Sequence, residues 1–370
     1  MQPPFETVLE IDLDALRHNY THLSSKLKPG VKMMGVVKAF AYGSDAVVIA
    51  KELESFGVSY LAVAYVKEGV VLRNAGITTP ILVLHPQPAN FETLIDRCLE
   101  PAIYSPRILK LFLETARKKA QKDYPVHIKF NTGLNRLGFW ENDCDWIVEQ
   151  ISADNSLKIV SLFSHLAASE DPNEREFTIQ QIDTFQAISK EMIAKLGYTP
   201  FLHQSNTSGV INYPEAHFDM VRIGIGLYGY GNSDQEDKFL KPVAKLTTVI
   251  SQIHKIEPGE TVGYNRAFTA KGYEKTATIP IGHADGIPRA LGNEKGSVLI
   301  NGQKAPIIGN VCMDMMMINV SHIECKEGDL VTVIGDGQTA DELGLALGSI
   351  SYEVLTAISQ RVKRVIHRKT

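Results

Sequence analysis

Along the first two thirds of the chain, short apolar runs alternate with longer stretches whose apolar residues recur every three or four positions. The runs at 31–38 (VKMMGVVK), 60–65 (YLAVAY), 80–85 (PILVLH), 100–105 (EPAIYS), 126–131 (VHIKFN), 158–165 (KIVSLFSH), 201–206 (FLHQSN) and 219–224 (DMVRIG) read as strands. Helical patterns lie between most of them, most clearly at 45–56, 67–75, 106–120 and 173–195. Eight strand–helix units over about 230 residues predict parallel pairing and closure into a (β/α)8 barrel. One more helical stretch, 13–27, precedes the first strand and is placed to supply the eighth helix.

The pattern changes near Asp237–Pro242. Beyond it, alternation with period two dominates, as in KLTTVISQIHKI, KTATIPIG, GSVLING, MMMINV and DLVTVIG, with glycine-containing turns between. The expected organisation is therefore a barrel domain over 1–238 and a smaller β-rich domain over 239–370, which the N-terminal strand near 7–11 could join. The tail from Asp341 to Ile366 reads as one or two helices.

Composition narrows the class of protein without changing this picture. The 370 residues, 44% hydrophobic and 22% charged, are those of an ordinary globular chain. A net charge of −4 gives no reason to expect nucleic acid or an anionic membrane as partner. No apolar stretch is long enough for a membrane-spanning helix, and Glu6, Glu10, Asp12 and Asp14 argue against a secretory leader. The four cysteines, Cys98, Cys144, Cys312 and Cys325, form no C-x-x-C pair, so neither a disulfide framework nor a structural zinc site is expected and a cytoplasmic location fits. No metal site is expected.

Functional groups of a (β/α)8 barrel gather at the C-terminal ends of its strands. There the sequence puts Lys38 at the end of the first strand, Lys129 near the end of the fifth with Arg136 following, and His165 at the end of the sixth. Asn206 and Thr207 follow the seventh strand, and Arg222 and Gly224 end the eighth. Singly, each has an ordinary explanation: a strand-end cation is usually a solvated rim charge, and a strand-end histidine a hydrogen-bonded core residue. Their joint convergence is less ordinary. NTSG (206–209) and RIGIG (222–226) also fall after strands seven and eight, where this fold commonly holds phosphate. A cationic, phosphate-binding pocket with a lysine at its rim suggests pyridoxal 5′-phosphate, whose aldehyde condenses with a lysine amine.

Those residues belong to longer motifs. VVKAFAYGSD (36–45) resembles the cofactor signature of the alanine racemase family, usually V-V-K-A-N-A-Y-G-H-G. KFNTGLNRLGF (129–139), SHLAASE (164–170), HQSNTSG (203–209), VRIGIGLYG (221–229), VGYNRAF (262–268), IPIGHADGIPR (279–289), GNVCMDMMMINV (309–320) and SYEVLTAISQRVKR (351–364) continue the resemblance in family order over nearly the whole chain. The resemblance implies a homodimeric racemase that interconverts L- and D-alanine and supplies the D isomer for peptidoglycan. It implies that Lys38 carries the cofactor and that Tyr42, Thr207, Gly224, Ile225 and Tyr352 hold its phosphate, with Asn206 alongside. Arg222 would meet the pyridine nitrogen with His165 bonded behind it, and Arg136 would reach the phenolic oxygen and the substrate. Lys129 would be the lysine that often carries an N-carboxyl group. Tyr264, the second acid–base group, and Met313, near the substrate, would come from the partner subunit.

An ordinary phenol has a pKa of about 10, so Tyr264 needs cationic neighbours to act as a base, and the His165–Arg222 pair is a candidate source. Taken alone, Tyr264 and Met313 would read as packing residues, Met313 in an apolar strand. Several positions depart from the family pattern: Phe40 for asparagine, Ser44-Asp45 for His-Gly, Asn131 for aspartate, Met315 for glutamine, and His283 for a tyrosine at the substrate entrance. The last leaves a serine-preferring or broader racemase as an alternative. An amino-acid decarboxylase shares the architecture but sets an acid where Arg222 stands. A non-catalytic cofactor carrier would lack the second domain.

Overall fold

The computed structural model describes residues 6–153 and 155–368. The chain divides into two compact units, residues 17–41 with 46–241, and residues 1–16 with 42–45 and 242–370.

The first strand, β1 (Val8–Asp12), belongs to the second unit and is followed by the helix Leu13–Ser24. The barrel unit then contains eight parallel strands: β2 (Lys32–Val36), β3 (Tyr60–Val63), β4 (Ile81–Val83), β5 (Glu100–Ile103), β6 (Tyr124–Lys129), β7 (Leu157–Phe163), β8 (Phe201–His203) and β9 (Met220–Ile223). β9 pairs back onto β2, with Met34 opposite Arg222, and closes the cylinder. Each expected strand is present, most of them trimmed at the ends where the apolar run continues into the following loop.

The crossover helices are set by local signals. Ser105 caps Pro106–Lys118 by accepting from the Ile108 N–H, and Ile108, Leu109, Phe112, Leu113 and Ala116 make its buried stripe. Arg175–Leu196 ends on left-handed Gly197 (φ 72°). Asn19, fully buried on the first helix, donates to the Leu227 and Lys241 carbonyls and accepts from the Lys241 N–H. That helix is thereby fastened to the chain leaving the last barrel strand.

The second unit is built on a nine-stranded sheet. Its order is Gln252–Ile256, Glu274–Ile279, Met316–Asn319, Gln303–Ile308, Ser297–Ile300, Leu330–Ile334, Ala244–Val249, β1 and Lys363–His367. All neighbours are antiparallel except β1 and Lys363–His367. The tail differs from the helical expectation. Ala340–Leu347 and Ser351–Ala357 are helices, but Lys363–His367 is an edge strand. Its β-branched Val365 and Ile366, flanked by charged residues, suit an edge strand with one open side. Among the described residues, no helix is long and apolar enough to cross a membrane.

Candidate active site

Lys38 is held by an unusual turn of the backbone. β2 stops at Val36, two residues short of the sequence expectation, and the chain then turns with the wrong hand. Ala39 (φ 51°), Phe40 (φ 55°), Ala41 (φ 54°) and Tyr42 (φ 54°) are four consecutive left-handed residues, none of them glycine. Such a conformation costs about 1–2 kcal/mol per residue, so neighbours must impose it. Within the barrel unit Glu68 does so. It accepts from the Ala39 N–H at 2.6 Å with one oxygen, and from the Ala64 and Tyr65 N–H groups at 2.7 and 3.0 Å with the other. Ala41 N–H also bonds back to the Val37 carbonyl at 3.1 Å.

In the second unit, Gly43 (φ 79°) must be glycine, because a Cβ there would lie 1.9 Å from the Leu355 carbonyl oxygen. Arg364 donates to the Gly43, Ser44, Ser359, Val362 and Ile358 carbonyls and ties 43–44 to 358–362. The Tyr42 and Tyr352 rings lie 5.9 Å apart there. Burial, with Tyr352 contributing, raises the Tyr42 phenol above its ordinary range, so it stays a donor.

Around Lys38 the barrel gathers cations. Burial, then Arg136, lower the Lys38 amine below ordinary lysine, with Glu68 opposing. Lys129 is 7% exposed, and burial with Arg136, Arg222 and Lys38 pushes it down to about 8. Arg136 itself is exposed, on a loop knitted by Asn131. That side chain accepts from the Gly133 and Asn135 N–H groups and donates to the Asn135 side chain. An aspartate could make only the accepting bonds, so the departure at 131 adds a tie.

Arg222, 5% exposed, is the most constrained group. Nη1 donates to His203 Nδ1 (2.7 Å) and the His203 carbonyl (3.2 Å). Nη2 donates to the Ser164 and Gln204 carbonyls (2.6 and 2.9 Å) and to His165 Nδ1 (3.0 Å). Burial and Arg136 push it down to about 9, so it remains a cation at neutral pH. The Phe163 ring lies 5.3 Å beneath its guanidinium. Both histidines face a group that only donates, so both accept through Nδ1. Burial and the neighbouring cations hold His165 well below ordinary histidine, and burial with Arg222 does the same to His203. The expected His165–Arg222 contact is present, but it carries one positive charge and not two: a neutral His165 supplies no cation for Tyr264.

Pyridoxal phosphate would need an anion cradle and a donor for its ring nitrogen. Among the described residues, the backbone N–H groups of Gly224 and Ile225 find no acceptor, and the Gly226 N–H bonds the Thr207 hydroxyl at 3.2 Å. Thr207 and Ile225 are buried, so unanswered N–H groups beside them suit a phosphate. Among the described residues, Arg222 Nε is the one guanidinium nitrogen without an acceptor. The residues present therefore fit the cofactor. Asn206 Oδ1 accepts from the Gly209 N–H and the Ser169 hydroxyl, both at 2.8 Å, which fixes the orientation of its amide.

Tyr264 and Met313 are in the second unit, 72% and 59% exposed. They line a cavity of about 520 Å3 with Gly263, Cys312, Asp314 and Met315. Met313 is not a strand core residue: the strand begins at Met316, and the preceding turn presents residues 313–315 outward. Asn310 holds the Tyr264 carbonyl at 3.0 Å. His283 is exposed beside this turn, and its N–H bonds the Cys312 carbonyl at 2.9 Å. Glu68, His203, Asn310 and Arg364 were not foreseen. In sequence, Glu68 is an ordinary first-turn acid of its helix, and His203 sits at the end of a short strand beside polar residues, so neither stands out.

Residues 11–232 match the model of the alanine racemase N-terminal domain and residues 243–366 that of the alanine racemase C-terminal domain. The chain is 37% identical over 366 residues to alanine racemase 1 of Clostridium acetobutylicum, covering 96% of this chain and 94% of that one. Among solved structures it is similar to an alanine racemase of Clostridium difficile (TM-score 0.92, 35% identity, 99% and 97% of the two chains). It is also similar to that of Bartonella henselae with covalently bound pyridoxal phosphate (TM-score 0.89, 30% identity, 98% and 100%). With an eight-stranded parallel barrel, a β-rich second unit and full-length relatives of one kind, this chain belongs to the alanine racemase family.

Proposed function

We propose that Lys38 and Tyr264, the latter from a second copy of the chain, are the two proton-transferring groups of this pyridoxal phosphate-dependent alanine racemase. Racemisation removes the α-proton from one face of the substrate and returns a proton to the other, which a single fixed base cannot easily do. When bound, the cofactor supplies an electron-withdrawing ring that acidifies the substrate's Cα–H. Lys38 answers one face with an amine whose hold on its proton is weakened by burial and by Arg136. Tyr264 answers the other with its phenol. The support for a second copy is the exposed cluster Tyr264, Met313 and Met315 lining one cavity, apolar surface of the kind that associating chains cover.

Arg222 would donate Nε–H to the ring nitrogen and leave that atom unprotonated, because guanidinium gives up no proton at working pH. Thr207, Gly224 and Ile225 would hold the phosphate with Tyr42 and Tyr352, and Arg136 the phenolic oxygen. Lys129, crowded by Arg136, Arg222 and Lys38, would react as the free amine with carbon dioxide, losing a proton and becoming a carbamate anion that neutralises part of this excess. Four unpaired thiols suit the cytoplasm, where D-alanine made for the cell wall would be consumed.

The observation that carries this reading is Arg222, a buried cation whose Nη1 and Nη2 are engaged while Nε finds no acceptor among the described residues. Lys38→Ala tests it: racemisation of L-alanine should fall by at least about 10³-fold, together with loss of the visible cofactor absorption. Retention of both would reject the assignment.

A further inference from the structure

Behind Arg222 the barrel interior holds a single file of polar side chains, one from each of five consecutive strands. Arg222 of β9 bonds His203 of β8, and His203 Nε2 lies 3.0 Å from the Ser161 hydroxyl of β7. That hydroxyl lies 2.6 Å from His127 Nδ1 of β6, and His127 Nε2 lies 2.7 Å from Glu100 Oε2, the first residue of β5. Tyr60, the first residue of β3, donates its hydroxyl to the same oxygen at 3.1 Å. His127, Ser161 and His203 are fully buried, while the Glu100 side chain is 13% exposed. The file thus runs from the C-terminal to the N-terminal end of the barrel, about the length of a strand. Aromatic rings flank it: Phe163 stacks on His203 at 4.9 Å, and Tyr60 meets His127 edge-on at 5.6 Å.

Chemistry assigns a direction to every link. Guanidinium only donates, so His203 Nδ1 accepts and its proton sits on Nε2. Nε2–H donates to Ser161, whose own proton goes to His127 Nδ1. His127 therefore carries its proton on Nε2 and donates to Glu100, which accepts from Tyr60 as well. Burial and Glu100 raise the Tyr60 phenol, consistent with its donor role. A buried cation with no carboxylate among its own contacts is connected, through polarised hydrogen bonds, to a carboxylate at the far mouth of the barrel.

We propose that Glu100 is a remote positioning residue for Arg222. By accepting from His127 it makes each successive link a better acceptor, so His203 Nδ1 holds the guanidinium more firmly and keeps Nε aimed at the cofactor's ring. The inference rests on the assignment of Arg222 to that ring.

The test is ¹⁵N NMR of histidine-labelled holoenzyme. In the wild type, His127 and His203 should both be Nε2–H tautomers. Glu100→Gln should shift the ring-nitrogen resonances of His203, three links away, and lower kcat about threefold to tenfold with KM little changed. In a Ser161→Ala background the same substitution should leave His203 unmoved, because the file is cut. Tyr60→Phe, which deletes one competing donor to Glu100, should move the His203 resonances in the opposite direction and decides the matter if the other variants do not fold. His203 resonances indifferent to both Glu100→Gln and Tyr60→Phe would overturn the proposal, as would a Glu100 effect undiminished without Ser161. A wild type without racemase activity would instead sink the assignment of Arg222 and leave the file to be judged by the spectra.

Discussion

The barrel side and the second-unit side of the candidate chemistry are held in opposite ways. Arg222 is buried, with five hydrogen bonds on two nitrogens, and Lys38 sits on a turn that Glu68 pins through three backbone N–H groups. Tyr264 is 72% exposed and is located mainly by its backbone, through Asn310 and a left-handed Asn265. The barrel residues are fixed by the fold of one chain. The tyrosine is fixed in backbone but uncovered in side chain, as the proposed cover by a second copy would require. Stability and catalysis should therefore be coupled on the barrel side and separable at Tyr264.

Four experiments bear on that contrast. The largest effect is expected from Tyr264→Phe, which should lower kcat by about 10²–10⁴-fold for lack of a proton-carrying group. The same substitution should change unfolding free energy by no more than about 0.5 kcal/mol. A large stability loss in denaturant titrations would erase the distinction between the two sides.

Glu68→Gln should do the reverse in proportion. An amide cannot accept at both ends, so at least one backbone N–H loses its partner, at a cost of about 1–3 kcal/mol. A loosened Lys38 turn should take kcat/KM down roughly tenfold. Unchanged melting with reduced turnover would show that Glu68 acts on the chemistry alone.

His283→Tyr probes the exposed side again. Histidine is smaller than the tyrosine usual in the family, and we expect it to widen the entrance to larger substrates such as serine. Restoring tyrosine should shift kcat/KM toward alanine over serine by roughly 10-fold, the scale on which a pocket reads small size differences. An unaltered ratio rejects the idea.

The smallest effect concerns Lys129. Its folded value of about 8 lies below that of an exposed lysine, so the unfolded chain binds the extra proton between the two values. In buffer free of carbon dioxide, stability should rise from about pH 8 toward 10, and Lys129→Met should flatten the slope. With ¹³C-bicarbonate, a carbamate carbon resonance should appear in the wild type and vanish in the variant.

The barrel was legible because its strands are apolar runs of strand length separated by helices of normal period, and the second unit because its alternation is plain. The site was legible mostly through family motifs. Individual cations such as Lys129 and Arg222 looked like rim charges, and only folding reveals their burial. The turn at 39–42 was invisible, since Ala-Phe-Ala-Tyr carries neither glycine nor asparagine to announce positive φ. Glu100, His127, Ser161 and His203 were hidden for a related reason. Polar residues spaced along separate strands become a connected file only once register places the strands side by side. The final strand at 363–367 was misread as helix because its apolar content is small and its pairing partner, β1, lies more than 350 residues earlier.

The left-handed turn bears on when the enzyme acquires its cofactor during its own maturation. A segment so unfavourable cannot form from local preference. It awaits the docking of the helix that carries Glu68, and with it the burial that, on the proposed role of Lys38, weakens the amine's hold on its proton. Until then the nascent chain offers only an ordinary protonated lysine, one of many, to a reactive aldehyde. Attachment should thus be the last event of assembly, and selective for correctly folded molecules. Borohydride added at intervals during refolding should fix label at Lys38 only after helical circular dichroism has reached its plateau.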